Sequence, residues 1–222
     1  MKRILFHGSK DIIERPQFGV GKRYNDYGSG FYCTEERDLA MEWAVSEDRD
    51  GYANCYELEE DGLTLLDLNS YSMLHWLAIL LQNRTFDLAQ PLALEAKDYL
   101  IKNFSLDYDK DLIIGYRADD SYFAFSRDFL QGTISYNQLT RAMRLGNPGI
   151  QVVIKSRKAF GRLNFLQAEK AKNSEWFHKK ARRDDTARKE YFSLERNRRT
   201  RDDLYITQIL DEEIKSGDPR LL

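Results

Sequence analysis

The chain has 222 residues, a length that predicts one domain with appendages. Hydrophobic residues make up 42% of it and charged residues 32%, with only four prolines, and this composition excludes a chain that is disordered throughout. The formal net charge is −2, and no apolar run approaches the roughly 20 residues that cross a bilayer, so no membrane partner is expected. The first residues lack the apolar core of a signal peptide, which predicts a cytoplasmic location.

The few cysteines and histidines limit the redox and metal chemistry. Cys33 and Cys55 are expected to stay reduced, as thiols of cytosolic proteins do. His7, His75 and His178 have no spacing that would place two ligands on one helical face, so no metal site is predicted. His75 falls in a predicted helix, where a lone histidine is typical of a structural side chain.

The N-terminal third is predicted to contain short strands and one helix. The first strand covers residues 3–6 and ends at His7-Gly8-Ser9, because glycine permits a sharp change of direction. Thr34 is predicted to be the N-cap of the helix. The remaining elements of this part are strands over residues 31–34, 53–58 and 63–67 and the helix over residues 37–46.

The rest of the chain is predicted to be mainly helical. Its strands cover residues 112–116, 150–156 and 164–166, and its helices cover residues 70–104 (two, the second opened by Pro91), 121–130, 136–145, 168–199 and a last one that closes at 210–214. Short strands mixed with helices predict an α+β fold. We expect a single domain over residues 1–222, in which residues 168–222 form a helical, basic appendage.

Charge is unevenly distributed along the chain. Between residues 170 and 201 there are twelve basic residues and five acidic ones. One interpretation is a surface for a nucleic acid or an acidic partner. The other is a solvated helix whose charges pair at three- and four-residue spacing, as Asp184 with Arg188 and Asp185 with Lys189 would.

Three motifs along the chain carry a family resemblance. They are H-G-S at residues 7–9, G-x-G-F-Y-x-T at residues 28–34 and A-x-x-W-A at residues 40–44. Their order resembles the ADP-ribosyltransferase superfamily in its histidine-tyrosine branch, which includes diphtheria toxin, the poly(ADP-ribose) polymerases and uncharacterised bacterial-type families. The arginine-serine-glutamate branch is disfavoured because no Ser-Thr-Ser strand or Glu-x-Glu turn is present. The resemblance implies a split β-sheet core with helical insertions and NAD as co-substrate.

The resemblance implies a role for each motif residue. His7 would hydrogen-bond a ribose hydroxyl, and the backbone of Gly8, followed by Ser9, would hold the nicotinamide carboxamide. Tyr32 would stack on the nicotinamide ring, and Trp43 would cover its other face. These residue types suit the reaction, because cleavage of the nicotinamide–ribose bond passes through an oxocarbenium-like transition state that needs a rigidly held substrate.

The third catalytic position departs from the best-known members of the superfamily. They carry a glutamate there, whereas the strand here offers Gln151. An amide can hydrogen-bond a ribose hydroxyl, but it cannot act as a general base, so transfer of a single ADP-ribose unit is expected rather than polymer growth. Gln151 can also be an ordinary polar residue at a strand start. A second departure is Ala40, where polymerase relatives often carry a serine.

The segment after the strand at residues 112–116 can supply the missing charge. Asp119 or Asp120 would provide a carboxylate, and Arg117 would meet the NAD pyrophosphate. The alternative is that Asp119 and Asp120 cap the helix that follows.

The sequence therefore favours a mono-ADP-ribosyltransferase that modifies an intracellular protein or nucleic acid. Such an enzyme would suit a toxin with a small antitoxin protein as its partner. Two alternatives remain open: an enzyme related to the RNA 2′-phosphotransferases, and a catalytically degenerate module that binds NAD or ADP-ribose. The glutamine at the third position supports the second alternative.

Overall fold

The computed structural model describes residues 1–118 and 120–221. Strands and helices are mixed along the chain, which confirms the α+β class. The strands are β1 (Lys2–Ser9), β2 (Phe31–Cys33), β3 (Gly51–Glu59), β4 (Leu65–Asp67), β5 (Leu112–Tyr116), β6 (Ile150–Ile154) and β7 (Leu163–Ala171). The helices are α1 (Arg37–Ala44), α2 (Met73–Asn83), α3 (Pro91–Phe104), α4 (Asp120–Leu130), α5 (Tyr136–Ala142), α6 (Arg157–Phe160), α7 (Asn173–Ser193) and α8 (Ile206–Asp211).

The chain forms two compact units, each made from three segments. The first unit comprises Met1–Asp67, Asp107–Arg117 and Gly149–Arg183. The second comprises Leu68–Leu106, Ala118–Pro148 and Asp184–Leu222. The expectation of one domain over residues 1–222 stays a prediction, because compactness of each part does not say whether either folds alone.

The first unit contains the β-strands, arranged in two sheets. Among the described residues, one sheet has the order β1-β3-β7 and is antiparallel, and the other has the order β2-β6-β5-β4. The strand pair β4 and β5 is parallel, and the other pairs of the second sheet are antiparallel. A bridge between Phe6 and Thr34 joins β1 to the end of β2.

Two apolar clusters stabilise the first unit. Both sheets contribute to the larger cluster, whose buried members are Leu5, Phe31, Cys33, Tyr56, Leu58, Leu112, Ile114, Val152, Ile154 and Ala159. The smaller cluster packs α1 and the start of α7 on the sheet of β1 and β3, through Ala40, Met41, Ala44, Val45, Ala53, Ala171 and Trp176. Alternate residues of a strand face opposite sides of the sheet, so side chains of β1 pack against both clusters.

Strand β1 is longer than the sequence predicts. His7, Gly8 and Ser9 lie within it, paired with Asn54, Ala53 and Tyr52 of β3, and do not follow its end. Thr34 is not the N-cap of α1 either, since that position belongs to Glu36, whose backbone N–H donates to the Thr34 hydroxyl at 3.1 Å. In both cases long-range strand pairing overrides a local signal.

The predicted start of the C-terminal helical appendage at residue 168 is wrong. Strand β7 continues to Ala171 because its backbone pairs with β3 up to Gly51. Helix α7 then begins at Asn173, and Trp176 in its first turn is buried in the smaller cluster. The start of α7 is therefore part of the core of the first unit.

The second unit is helical. Pro91 opens α3 as predicted, and a capping box of Ser135 and Gln138 opens α5. His75 is buried, with the Ser72 hydroxyl 2.9 Å from Nδ1 and the Ser216 hydroxyl 2.8 Å from Nε2. Both ring nitrogens are thus used within the fold, which supports the structural interpretation of this histidine.

The basic stretch between residues 170 and 201 contains many ion pairs. The predicted pairs Asp184 with Arg188 and Asp185 with Lys189 are both present, at 3.0 and 2.6 Å. Further pairs are Lys170–Asp50, Lys179–Glu175, Arg183–Glu42, Arg196–Asp128 and Arg198–Glu195. These contacts favour the interpretation of a solvated, internally paired surface for the residues concerned, and an acidic partner for the stretch stays a prediction.

No helix in residues 1–118 and 120–221 is long and apolar enough to cross a membrane. In the same part of the chain, no three His, Cys, Asp or Glu side chains lie close enough together to hold a metal ion. Cys33 and Cys55 are free thiols and both are buried, which raises the pKa of each.

Candidate functional site

His7 is fixed in one orientation by strand β2. Its Nδ1 lies 2.7 Å from the carbonyl oxygen of Tyr32, and its ring stacks on Phe31 with the ring centroids 4.1 Å apart. A carbonyl oxygen only accepts hydrogen bonds, so Nδ1 carries the proton. Burial lowers the pKa of His7, and the hydrogen bond to Tyr32 only partly opposes this. The neutral ring therefore presents Nε2 as an acceptor.

Gly8 allows helix α1 to lie directly on strand β1. A Cβ atom at this position would come within 2.1 Å of the Ala40 carbonyl oxygen and 2.8 Å of both the Ala44 nitrogen and the Trp43 Cβ. A Cβ atom does not make nonbonded contacts this short, and two of the three involve backbone that cannot rotate away. Glycine is thus required here by packing, and the same packing sets Trp43 beside the motif.

The backbone of Gly8 faces the open edge of β1. Phe6 exchanges two hydrogen bonds with Thr34, 2.7 and 2.9 Å long, on the edge of β1 away from β3. Peptide groups two residues apart in a strand point the same way, so the N–H and C=O of Gly8 point to that edge too. In the described part of the chain no strand pairs with this edge beyond the Phe6–Thr34 bridge. One donor and one acceptor are therefore presented beside His7, as an amide ligand would need.

Tyr32 is held by the turn that precedes β2. Its hydroxyl donates to the Gly28 carbonyl oxygen at 2.6 Å and accepts from the Tyr27 backbone N–H at 3.0 Å. The Tyr27 hydroxyl in turn donates to the carbonyl oxygen of Tyr116, and the Lys155 ammonium donates to the carbonyl oxygen of Tyr27. Residues 25–28, called the cover segment below, are thus fastened to the sheet at several points.

Tyr32 and Gln151 lie on the same face of the second sheet. Tyr32 is opposite Val153, and Gln151 is two residues further along β6. Such diagonal neighbours have Cβ atoms about 7–8 Å apart or less. Phe31, by contrast, belongs to the apolar cluster on the other face. The sheet therefore brings the second and third predicted catalytic residues together.

Gln151 is buried against an acidic residue that sequence reasoning missed. Its Nε2 donates to Oδ2 of Asp26 at 3.3 Å, and each side chain is 5% exposed. Asp26 belongs to the cover segment, directly before Tyr27. Nothing in the sequence around residues 25–28 marks Asp26 as more than a turn residue, because the contact joins segments 125 positions apart.

Two buried polar atoms near these residues lack a hydrogen-bond partner among the described residues. They are Oε1 of Gln151 and Nε1 of Trp43. A buried polar atom without a partner costs about 1–3 kcal/mol, and native structures keep few of them. A polar ligand that donates to Oε1 of Gln151 and accepts from Nε1 of Trp43 would satisfy both atoms.

Trp43 and Arg117 are also neighbours. The guanidinium carbon of Arg117 lies 4.9 Å from the centroid of the Trp43 ring, a cation–π distance. Arg117 follows β5, whose last residue, Tyr116, accepts the hydrogen bond from Tyr27. The two residues predicted to bind NAD through stacking and charge thus lie side by side. The predictions for the Asp119 and Asp120 side chains fall outside what the structure describes.

Ser9 is engaged in the fold. Its hydroxyl donates to the carbonyl oxygen of Asp11 and accepts from Nδ2 of Asn54 at 3.1 Å. Asn54 is fully buried and also donates to the carbonyl oxygen of His7 at 3.2 Å, while its Oδ1 accepts from the Ile13 N–H at 2.9 Å. Asn54, another residue that sequence reasoning missed, thus fixes the end of β1 and the loop after it. Binding of NAD by Ser9 stays a prediction.

A separate concavity of about 170 Å³ lies elsewhere in the first unit. It is lined by Phe6, Arg37, Ala53, Cys55, Gln167 and Glu169. None of these is a predicted site residue, and two of them, Arg37 and Glu169, form an exposed ion pair. The chemistry described above is located in the region of His7, Tyr32 and Gln151.

The residues of this site lie within a segment of the chain that matches a known protein family. Residues 3–165 match the family described as "Protein of unknown function (DUF3990)". The chain belongs to this family. No curated protein and no solved structure matches it. The DUF3990 match contains His7, Tyr32, Trp43 and Gln151 and ends within β7, so the whole basic stretch between residues 170 and 201 lies beyond it.

Loss of the Tyr32 hydroxyl should loosen the cover segment. Tyr32→Phe keeps the ring but leaves the Tyr27 N–H and the Gly28 carbonyl oxygen without this partner, at a cost of about 1–2 kcal/mol. We expect faster amide hydrogen exchange in residues 25–30 and a lower melting temperature. Tyr71→Phe, which alters a side chain that is 44% exposed, is the matched control and should change neither. Unchanged exchange in Tyr32→Phe would contradict the anchoring role of the hydroxyl.

Proposed function

We propose that this protein is a mono-ADP-ribosyltransferase that cleaves NAD at the nicotinamide–ribose bond. The observation that carries the proposal is the state of His7: Nδ1 is tied to the Tyr32 carbonyl oxygen, which leaves Nε2 as a fixed acceptor beside the open backbone edge of Gly8. A ribose hydroxyl would donate to Nε2, and the nicotinamide carboxamide would pair with the N–H and C=O of Gly8. The two β-sheets, which the Phe6–Thr34 bridge connects, suit the split-sheet core that the family resemblance implies.

The proposed reaction needs little covalent chemistry from the protein. The bond from ribose C1′ to the nicotinamide nitrogen breaks, its electron pair leaves with neutral nicotinamide, and an acceptor oxygen or nitrogen bonds to C1′ and releases its proton to water. The protein contributes rigid binding of both halves of the substrate during this step. The ring of Tyr32 would orient the leaving group, and Arg117 would attract the pyrophosphate.

The acceptor is expected to receive one ADP-ribose unit. Elongation needs a base to activate a ribose hydroxyl, and the amide of Gln151 cannot ionise. We place the reaction inside the cell, with a protein or nucleic acid as acceptor and a small antitoxin protein as a candidate partner.

A second candidate function is binding of NAD or ADP-ribose without turnover. The observation that favours it is the uncharged Gln151 at the position where the catalytic carboxylate would be. Binding would still use His7 and the Gly8 edge. The two functions differ in whether nicotinamide is released.

Incubation of the purified protein with labelled NAD and a cell lysate tests the proposal. We expect release of nicotinamide and transfer of label to one class of macromolecule, with a single ADP-ribose per modified site by mass spectrometry. An NAD-dependent rise in melting temperature without nicotinamide release would support the binding module instead. No rise and no release would refute both, and polymer on the acceptor would refute transfer of single units.

A further inference from the structure

The contact between Asp26 and Gln151 joins two buried polar side chains on the face of the sheet that carries Tyr32. Each side chain is 5% exposed, and Oδ2 of Asp26 lies 3.3 Å from Nε2 of Gln151. Burial of a carboxylate is costly unless hydrogen bonds compensate for the lost water. The amide of Gln151 supplies one such hydrogen bond to Asp26.

The chemistry of the two groups fixes how the amide is turned. A carboxylate oxygen accepts hydrogen bonds, so the NH₂ group of Gln151, and not its oxygen, faces Asp26. The oxygen Oε1 then points away from Asp26. It is buried and has no hydrogen-bond partner among the described residues. Asp26 thus holds an acceptor ready for a donor that the described residues do not provide.

The cover segment holds Asp26 firmly in this place. The next residue, Tyr27, is fully buried, and its N–H, hydroxyl and carbonyl oxygen bind Tyr32, Tyr116 and Lys155 respectively. Gly28 ends the segment in the left-handed region, with φ +73°, where a side chain would be strained. A carboxylate on so constrained a segment has a defined position relative to Tyr32 and Gln151.

We propose that Asp26 and Gln151 act as one unit that replaces the single catalytic carboxylate: Oε1 of Gln151 accepts a hydrogen bond from a ribose hydroxyl of NAD, and Asp26 orients the amide and supplies negative charge. This inference rests on the proposed function. Positive charge develops on the ribose as nicotinamide leaves, and a fixed carboxylate in a buried site stabilises that charge without reorganisation. Asp26 is a positioning residue in this arrangement, because it acts through Gln151.

Exchange of charge between the two positions tests the proposal. Asp26→Asn keeps an oxygen for Nε2 of Gln151 but removes the charge, and we expect kcat for nicotinamide release to fall about 10²-fold or more with little change in the KM for NAD. Gln151→Glu places two carboxylates in contact, so the melting temperature should fall and activity should be lost. The double variant Asp26→Asn, Gln151→Glu has one carboxylate and one amide again. It should recover both the melting temperature and at least a tenth of the wild-type kcat.

Two controls separate this inference from the proposed function. Asp61→Asn removes a carboxylate that is 87% exposed and should leave activity and NAD affinity unchanged. Affinity for NAD, measured by calorimetry in each variant, should fall in Gln151→Ala, which loses Oε1, and stay near wild type in Asp26→Asn.

Each other outcome overturns the inference in a recognisable way. If the wild-type protein releases nicotinamide and Asp26→Asn does so at the same rate, the inference fails alone. The inference also fails alone if Gln151→Glu by itself raises activity, since Gln151 would then be only a less active substitute for a catalytic glutamate. An additive effect of the two substitutions on melting temperature would show that the side chains are not in contact. If the wild-type protein neither binds nor cleaves NAD, both the function and the inference are wrong.

Discussion

Replacement of His7 by alanine should lower the rate of nicotinamide release by about 10²–10⁴-fold, the range typical of removing one positioned polar group from a reacting site. The reason is the loss of the Nε2 acceptor, which the hydrogen bond from Nδ1 to Tyr32 holds in place. His7→Asn is the sharper variant. Its amide can still donate to the Tyr32 carbonyl oxygen but has no atom at the Nε2 position, so activity should be lost while the fold remains. Wild-type turnover in both variants would remove His7 from the site.

The same histidine predicts how activity depends on pH. Burial lowers the pKa of His7 in the folded protein below its ordinary value of 6.5. The neutral ring therefore predominates at pH 6.5, and the acidic decline of kcat/KM should have its midpoint below pH 6.5, because Nε2 gains a proton there. A midpoint of the decline at pH 6.5 or above would contradict a lowered pKa.

The lowered histidine pKa values also predict how the stability of the folded protein depends on pH. As the pH falls below 6.5, the unfolded chain binds protons at His7 and His75 before the folded protein does, because burial lowers both pKa values. The free energy of unfolding contributed by these groups is thus intact above pH 6.5 and decreases below it. The melting temperatures of wild type and of His75→Gln, compared from above pH 6.5 to below it, would measure how much of this loss of stability is due to His75.

Replacement of Gly8 by alanine should destabilise the first unit by about 3 kcal/mol, which lowers the melting temperature by roughly 6–12 °C. The added Cβ would meet the Ala40 carbonyl oxygen at 2.1 Å, so α1 would have to move away from β1. Activity should fall with stability, since Trp43 lies on the displaced helix. Thermal unfolding monitored by circular dichroism would measure this drop in melting temperature.

Gly161→Ala provides the matched control for Gly8→Ala. A Cβ there would be 3.5 Å from its nearest neighbour, an ordinary contact, and the φ of −70° suits alanine. This variant should melt within a degree or two of wild type. Equal stability of Gly8→Ala and wild type would mean that α1 does not pack on β1 as described.

Some local structure is determined by the sequence alone. Strand β5 covers the predicted residues 112–116, Pro91 starts α3, and the pairs of Asp184 with Arg188 and Asp185 with Lys189 form at the predicted spacing. These features depend on residues within a few positions of one another, so periodicity, capping and side-chain spacing suffice to find them. The motifs around His7 and Tyr32 were visible in the same way.

Other features depend on segments that are distant in the chain. Partner strand β3 extends β1 through Ser9 and keeps β7 extended to Ala171, against local signals for a turn and a helix. Tertiary packing also gives Gly8 its role, since only the position of α1 makes a side chain there impossible.

The acidic neighbour of Gln151 belongs to this second class. The sequence predicts the missing charge at Asp119 or Asp120, close to a strand end, whereas the buried contact with Gln151 is made by Asp26, 125 positions away in the chain. Local patterns carry no information about such a pair. The sequence determined which residue types are available to the site, and the tertiary structure decided which of them meet, because burial and hydrogen bonding act between side chains wherever the fold brings them together.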